Sequence, residues 1–346
     1  MTDQKIICKP WDFAERPSRI LAIRLQAMGD VIITLPYLQS LRNLYPQAQI
    51  DFLTHEEVSD IPNRLKLFDR VFIIKGGRNF KKQVLHALRL FPKLRAQHYQ
   101  VVIDLQRNLL SQWIRKALNP PCWSEFDRFS PISAGERTRN TIEATGLGGI
   151  DITPLALKDE ALGTNLLNAH GWQQNNELVV LNPAGFFPSR NWPLEYYVAF
   201  ARQWLQERNP LASFVVLGTP FIAEKARFLE AQLGKHLLNL VNKTTPAEAF
   251  SILRKAALVL TEDSGLMHMA WVSGVPTLAL FGSSRSDWSR PLGESSLCLH
   301  SADLPCGECM EAQCRFGDVH CLTRYRPEMV FQKALELLKE IKAEGK

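Results

Sequence analysis

Residues 257–282, ALVLTEDSGLMHMAWVSGVPTLALFG, constrain the fold most. They read as a buried strand (258–260), a sharp acidic turn (Glu262-Asp263-Ser264-Gly265), a short helix carrying His268 and a second buried strand (277–281). Short, continuous apolar strands separated by helices imply a parallel sheet covered on both faces. The turn stands at the carboxyl end of a strand and the amino end of a helix. Free backbone amides and the helix dipole favour an anion there, typically a phosphate, and in an open α/β sheet ligands bind at that edge. The turn is the leading candidate for the phosphate-holding side of an active site.

The same alternation runs through the chain twice. Apolar strands are predicted over 19–25, 49–53, 71–74 and 101–105, with a helix over 31–44 and helical segments between the later strands. The second half restarts with a strand over 178–181, a helix after Pro193, a strand over 214–217, a helix from Pro220, a strand over 237–240 and a helix after Pro246. Each half has a normal size for one doubly wound domain. Periodicity is weakest between about Gly148 and Asn176, which places the linker there, with domains over 1–160 and 161–346. An amphipathic helix over 327–341 follows a cysteine-rich loop (306–321) and could pack on either domain.

With 46% hydrophobic and 22% charged residues, the 346-residue chain has the composition of a folded soluble protein. A net charge of +6 is too mild to argue for nucleic acid without clustering. No apolar run approaches the roughly 20 residues that span a bilayer. The polar, proline-interrupted start, MTDQKIICKPWDFAERPSR, does not read as a secretory signal. The cytoplasm is the expected compartment. One region is asymmetric: from Arg70 to Gln100 there are eight Lys or Arg residues, Lys81 and Lys82 among them, and no acid, with Leu85, Leu88 and Phe91-Pro92 on an apolar side. A basic amphipathic segment suits an anionic membrane surface or an acidic acceptor; a solvated helix face is the plainer reading.

Of seven cysteines, Cys8, Cys122 and Cys298 are scattered and read as inert thiols. Cys306, Cys309, Cys314 and Cys321 are spaced C-x2-C-x4-C-x6-C. In a reducing compartment such a run suits a structural zinc better than disulfides; reduced cysteines packed in a loop are the alternative. At the first strand's end, Gln26-Ala27-Met28-Gly29-Asp30 puts a tight turn at Gly29 and Asp30 at a helix N-cap or first turn. By itself that acid reads as a cap worth about 1 kcal/mol, because the G-x-G-x-x-G fingerprint is absent. The second half supplies a matching edge. Asn182-Pro183-Ala184-Gly185 follows a strand, and Arg190, in Ser189-Arg190-Asn191-Trp192-Pro193, is placed to reach it with a planar fork suited to diphosphate; a surface arginine is the duller reading. Glu224, after Leu217-Gly218-Thr219-Pro220, could accept from ribose hydroxyls or simply face solvent. His268, near a helix N-terminus, is disfavoured as a cation and reads as a neutral hydrogen-bonding group or as helix-surface filler.

Four segments in order, MGDVIITLPYLQSLRNLYP, YQVVIDLQRNLLSQWI, NPAGFFPSRNWP and DSGLMHMAWVSGVPTLALFG, resemble the ADP-heptose:lipopolysaccharide heptosyltransferases of glycosyltransferase family 9. The resemblance runs from about Arg19 to the C-terminus. It implies a GT-B fold, with two Rossmann-like doubly wound domains facing across a cleft and a C-terminal helix commonly returning to the first. It also implies inverting transfer of a heptose from an ADP-sugar to a lipopolysaccharide core or similar glycan, without an obligatory metal cofactor, at the inner face of the membrane. Asp30 matches the family's general base. Arg190 falls where a lysine usually contacts the donor phosphates, and Asp263, Ser264, Gly265 and His268 match D-[TS]-G-x-x-H. Thr244 and Glu224 fall near positions for adenine and ribose. Gly29, Lys81, Lys82 and Arg107 are the expected acceptor contacts. The Arg190 replacement and the hydroxyl-poor Gly185-Phe186-Phe187-Pro188 loop leave the donor sugar open. Three alternatives are a transferase using a different nucleotide sugar, a non-catalytic nucleotide- or glycan-binding module of the same fold, and a zinc-dependent nucleic-acid binder; Asp30 beside a complete DSG-x-x-H motif disfavours the second.

Overall fold

The apolar runs become the central strands of two parallel sheets in the computed structural model, which describes residues 6–343. The first five residues, including the MTDQK start read above, and the last three lie outside the described residues. The chain divides into two compact units at Lys158/Asp159.

The first unit holds strands β1 (Cys8–Lys9), β2 (Arg19–Ile23), β3 (Gln49–His55), β4 (Arg70–Ile74), β5 (Val101–Asp104) and β6 (Cys122–Glu125). Its helices are α1 (Met28–Leu44), α2 (Asp60–Arg64), α3 (Phe80–Arg95), α4 (Leu109–Leu118) and α5 (Ala134–Glu143). The second holds β7 (Leu178–Asn182), β8 (Ser213–Val216), β9 (Leu237–Asn239), β10 (Leu258–Glu262), β11 (Thr277–Leu280) and β12 (Ser296–Leu299). Its helices are α6 (Leu162–Ala169), α7 (Leu194–Glu207), α8 (Ala223–Leu233), α9 (Pro246–Leu253), α10 (Gly265–Val272), α11 (Ser286–Ser289), α12 (His320–Thr323) and α13 (Pro327–Ala343).

The sheet orders, β1-β6-β5-β2-β3-β4 and β12-β11-β10-β7-β8-β9, share one pattern over five strands and differ at the outer edge, which is the first strand of one unit and the last of the other. In each unit the chain builds three strands outward from the centre, then crosses back to extend the other side. That is the Rossmann order, and its switch points fall between β2 and β5 and between β7 and β10. Every pairing is parallel except the short β1–β6 edge. Ile20 to Ile23 and all of β5, β7 and β10 are buried, as strands covered by helices on both faces require.

Several local expectations are corrected. The first helix opens at Met28, not Val31, because Val31 N–H already donates to Ala27 O at 2.9 Å. Gly29 therefore lies inside a helical turn, and Asp30 is the helix's third residue, in its first turn, the second of the two places expected for it. Glu262 is not in the turn: it ends β10 and is fully buried. The C-terminal helix, which the resemblance would return to the first domain, is built into the second unit's core. Its Val330, Phe331, Ala334, Leu337 and Leu338 join α7's Phe200 and Trp204 there. Each large apolar side chain so buried contributes roughly 1.5–3 kcal/mol.

Candidate functional site

In the second unit, Asn182 at the end of β7 pairs in register with Thr261 of β10. Its amide donates to Thr261 Oγ1 at 2.7 Å and to Ser264 Oγ at 2.8 Å. Ser264 is the N-cap of α10 and also accepts from Met267 N–H at 3.4 Å. With both lone pairs engaged, its hydroxyl hydrogen is the group left to donate outward. The first amides of α10, beginning at Gly265, have no intrahelical partner, so the helix end presents donors and positive potential together.

Asp263 sits between β10 and that cap. Its Oδ2 accepts from Arg190 Nη1 at 3.2 Å and from Ser284 Oγ at 2.6 Å. Both side chains of the Arg190–Asp263 pair are only 15% exposed, so the guanidinium is held rather than waving in solvent. Arg190 comes from a 3-10 turn (Pro188–Arg190) and packs over the Phe187 ring at 5.0 Å.

This turn is fastened from beneath. The Glu262 carboxylate accepts from Gly185 N–H and from Trp192 N–H, each at 2.7 Å. A Cβ on Gly185 would lie 2.3 Å from Arg190 O and 2.9 Å from Glu262 Oε2, so the close approach requires glycine. Lys225 donates to Pro183 O at 2.8 Å and to Asn191 Oδ1. The Tyr197 hydroxyl faces the Glu262 carboxylate, with Asn182 O at 3.4 Å as its second neighbour; the carboxylate is the stronger acceptor. Burial pushes the Glu262 carboxyl up to about 7, against the opposing pull of Lys225 and the donors. The same burial lowers Lys225 and drives the Tyr197 phenol well above its ordinary value.

The structure thus joins Arg190, Asp263, Ser264 and Gly265. His268 lies on α10, buried, with Nδ1 accepting from Trp271 Nε1 at 3.2 Å. Glu224 stands in the first turn of α8 with its side chain 93% exposed and Arg227 at 3.9 Å. Thr244 is half-buried in the loop before α9. Among the described residues, neither Glu224 nor Thr244 hydrogen-bonds to the Arg190–Asp263–Ser264 group.

The first unit builds a second site at its own switch point. Asp30 Oδ2 meets Arg24 Nη2 at 2.7 Å and Ala27 N–H at 3.3 Å. Its side chain is 42% exposed while Arg24 is 7% exposed, so one face of the carboxylate stays open beside a buried cation. Arg24 also donates to Leu105 O, and its guanidinium lies 4.9 Å from the Phe126 ring, with Arg137 at 5.3 Å from the same ring. A cavity of about 200 Å³ is lined by Arg24, Asp30, Gln106, Phe126, Arg128 and Arg137. Three guanidiniums against one carboxylate leave it suited to an anionic occupant.

Asp104, ending β5, shapes this edge. It accepts from Gln106 and Arg107 N–H at 3.0 and 2.8 Å and from Ser111 Oγ at 2.9 Å, and burial pushes it up to about 6. Gln106 Oε1 then accepts from Leu25 and Gln26 N–H at 3.0 and 3.1 Å, tying the β2 exit to the β5 exit. Arg107 is paired with Glu125 at 3.4 Å, which Arg115 also holds. Gly29 follows Met28 in α1, whereas Lys81 and Lys82 lie exposed in the first turn of α3.

Sequence reasoning passed over Arg24, Asp104 and Ser284, and took Glu262 for part of an exposed turn. A charged residue at the end of an apolar strand was the available signal for Arg24 and Glu262.

Cys306, Cys309, Cys314 and Cys321 line one cavity of about 780 Å³ together with Asp318 and His320. All four are free thiols, and burial, with the other three cysteines nearby, pushes Cys321 up to about 11. Among the described residues no group of three or more His, Cys, Asp or Glu side chains is arranged to hold a metal ion. Burial also pushes Cys122 and Cys298 up to about 12, which leaves them poor nucleophiles.

Residues 152–320 match the model of glycosyltransferase family 9 (heptosyltransferase). Lipopolysaccharide heptosyltransferase 1 of Pseudomonas aeruginosa is 25% identical, over 90% of this chain and 96% of that relative. Among solved structures, a glycosyl transferase family 9 protein of Veillonella parvula superposes with a TM-score of 0.80 at 21% identity, covering 93% of this chain and 97% of that one. E. coli ADP-heptose lps heptosyltransferase II gives 0.70 at 19% identity, covering 94% and 99%. Both share the GT-B fold of two Rossmann-like units. By its fold, its matched region and its likeness to relatives along nearly the whole chain, this protein is a glycosyltransferase that resembles the heptosyltransferases of family 9.

Proposed function

We propose that the chain transfers a heptose from an ADP-heptose donor to a sugar hydroxyl of a lipopolysaccharide core, with inversion at the anomeric carbon. The observation that carries this reading is the anion cradle of the second unit: Arg190 held by Asp263 beside the Ser264 cap and the open amides of α10. In the proposed reaction the acceptor oxygen attacks the anomeric carbon and its proton passes to Asp30. The bond from that carbon to the diphosphate oxygen breaks, and ADP departs with the electron pair. Arg190 and the Ser264 and Gly265 amides stabilise the charge gathering on the diphosphate, in this reading without a metal. The arginine-lined cavity around Asp30 suits an acceptor carrying carboxylate or phosphate. The names of the relatives support the donor and acceptor classes: heptosyltransferases acting in lipopolysaccharide assembly and an ADP-heptose enzyme.

The test is a donor panel in chelator-treated buffer, ADP-heptose against UDP- and GDP-sugars, with a truncated core acceptor and mass spectrometry of the product. A heptosylated product from ADP-heptose alone is expected. Turnover of a UDP- or GDP-sugar in its place would overturn the donor assignment, and tight ADP binding with no turnover of any donor would overturn the enzymatic reading. Within the same assay, Arg190→Ala is expected to lower kcat/KM for the donor about 10- to 100-fold, the usual worth of a charge-assisted bond to a ligand. Unchanged donor kinetics would show that Arg190 does not touch the phosphates.

A further inference from the structure

Helix α3 carries a face that its own unit leaves unused. Gln83, Ala87 and Leu94 form its buried edge. The helical repeat then brings round Phe80, Val84 and Leu88, with Lys81 between Leu88 and Leu85, and beyond Leu85 come Arg89, Lys82 and Lys93. Phe80, Leu85 and Leu88 are about half exposed, at 53, 49 and 51%. Beside them α4 contributes Leu109, 79% exposed, and Trp113, whose ring lies 5.4 Å from Phe91. Phe80, Val84, Leu88, Leu109, Leu110 and Trp113 line one apolar recess of about 250 Å³. A contiguous apolar surface of this kind marks an interaction site.

The cations decide the occupant. Arg78, Lys81, Lys82, Arg89, Lys93 and Arg95 are all exposed, and none forms an ion pair among the described residues. A second copy docking through the same face would set these cations against one another, since a two-fold contact apposes identical patches. Exposed leucines also give nothing to a nucleic-acid backbone, which is bound through cations and stacking rings. An apolar strip bordered by unpaired cations along one helix is the pattern of a segment lying in a membrane interface. We propose that the α3–α4 face seats the first unit on an anionic lipid bilayer. Phe80, Leu85, Leu88 and Leu109 enter the headgroup–acyl boundary, and Lys81, Lys82, Arg89 and Lys93 meet the lipid phosphates. This surface is independent of the donor and reaction proposed above, and no helix among the described residues is long and apolar enough to cross a membrane.

Co-sedimentation with phosphatidylcholine vesicles, with and without phosphatidylglycerol, tests it. Binding is expected only with phosphatidylglycerol and should weaken with salt. Each cation near an anionic surface is worth about fivefold in partitioning, so the triple variant K81Q/K82Q/R89Q should bind about a hundredfold more weakly. Leu85→Ser with Leu88→Ser should lose at least about tenfold. These side chains are exposed, so an unchanged thermal midpoint certifies folding. Brominated lipid should quench part of the tryptophan fluorescence of the unmodified protein, and Trp113→Phe should remove that part. Equal binding to neutral vesicles, no binding to either, or anionic-vesicle binding that survives both sets of substitutions would overturn the proposal. So would single-stranded RNA binding that displaces the vesicles, or a dimer that the same substitutions dissociate.

Discussion

Asp30→Asn is expected to lower kcat by about two to four orders of magnitude, the range over which a positioned proton acceptor contributes, with ADP affinity unchanged. The substitution keeps the side chain's volume and leaves an oxygen for Ala27 N–H, which now lies 3.3 Å from Oδ2. What it removes is the basic oxygen and the charge that pairs with Arg24. Arg24 retains Leu105 O and the Phe126 ring as partners, so the local fold should hold. Single-turnover kinetics and ADP calorimetry on the same preparations check the prediction. An unchanged kcat would remove Asp30 from its assigned role. A parallel collapse of ADP affinity and thermal midpoint would show that Asp30 supports the fold rather than the chemistry.

The parts of the fold that could be read from the chain are those whose pattern is local. β2, β5, β7 and β10 appear as uninterrupted apolar runs because both their faces are covered. The Asp263-Ser264-Gly265 turn is equally legible, since a serine cap between an apolar strand and a helix is a local signature. β6 was not legible. Its sequence, Cys122-Trp123-Ser124-Glu125, carries a charge that is buried only because Arg115 and Arg107, from other elements, neutralise it. β12 lies half-buried at an edge, where the apolar signal is weak. Arg24 was hidden for a related reason: it continues an apolar strand, and its partner Asp30 comes from the first turn of the next element, α1. Glu262 shows the limit most plainly. Adjacent acids look like a solvated turn, yet the strand ends between them, so Asp263 faces the anion cradle while Glu262 points into the core.

That burial makes Glu262 the position where a single substitution should cost the most stability. Glu262→Ala leaves Lys225 half-buried without its counter-charge and leaves the Gly185 and Trp192 amides without an acceptor. Breaking a buried charged network in this way costs about 3–5 kcal/mol, and the loosened 183–192 loop should carry Arg190 out of place and raise the donor KM. Glu262→Gln keeps the shape and one oxygen, but its amide nitrogen must face an N–H donor, so a smaller loss of about 1–3 kcal/mol is expected. Titration gives an independent check with a definite sign. Burial holds the carboxyl near 7 in the folded chain against 4.5 in its ordinary state. Between those values the folded chain retains a proton that the unfolded chain has released. Stability from this group is therefore full below about pH 4.5 and declines as pH rises through about 7. Asp104, held up to about 6, adds a decline of the same sign over a lower window. Urea unfolding at several pH values should show that decline in the unmodified protein and a shallower one in Glu262→Gln, which retains the Asp104 part and that of the buried Asp51, whose carboxyl burial also raises. A Glu262→Gln variant with the full pH slope and an unchanged midpoint would show that the 183–192 loop is held by something other than this carboxylate.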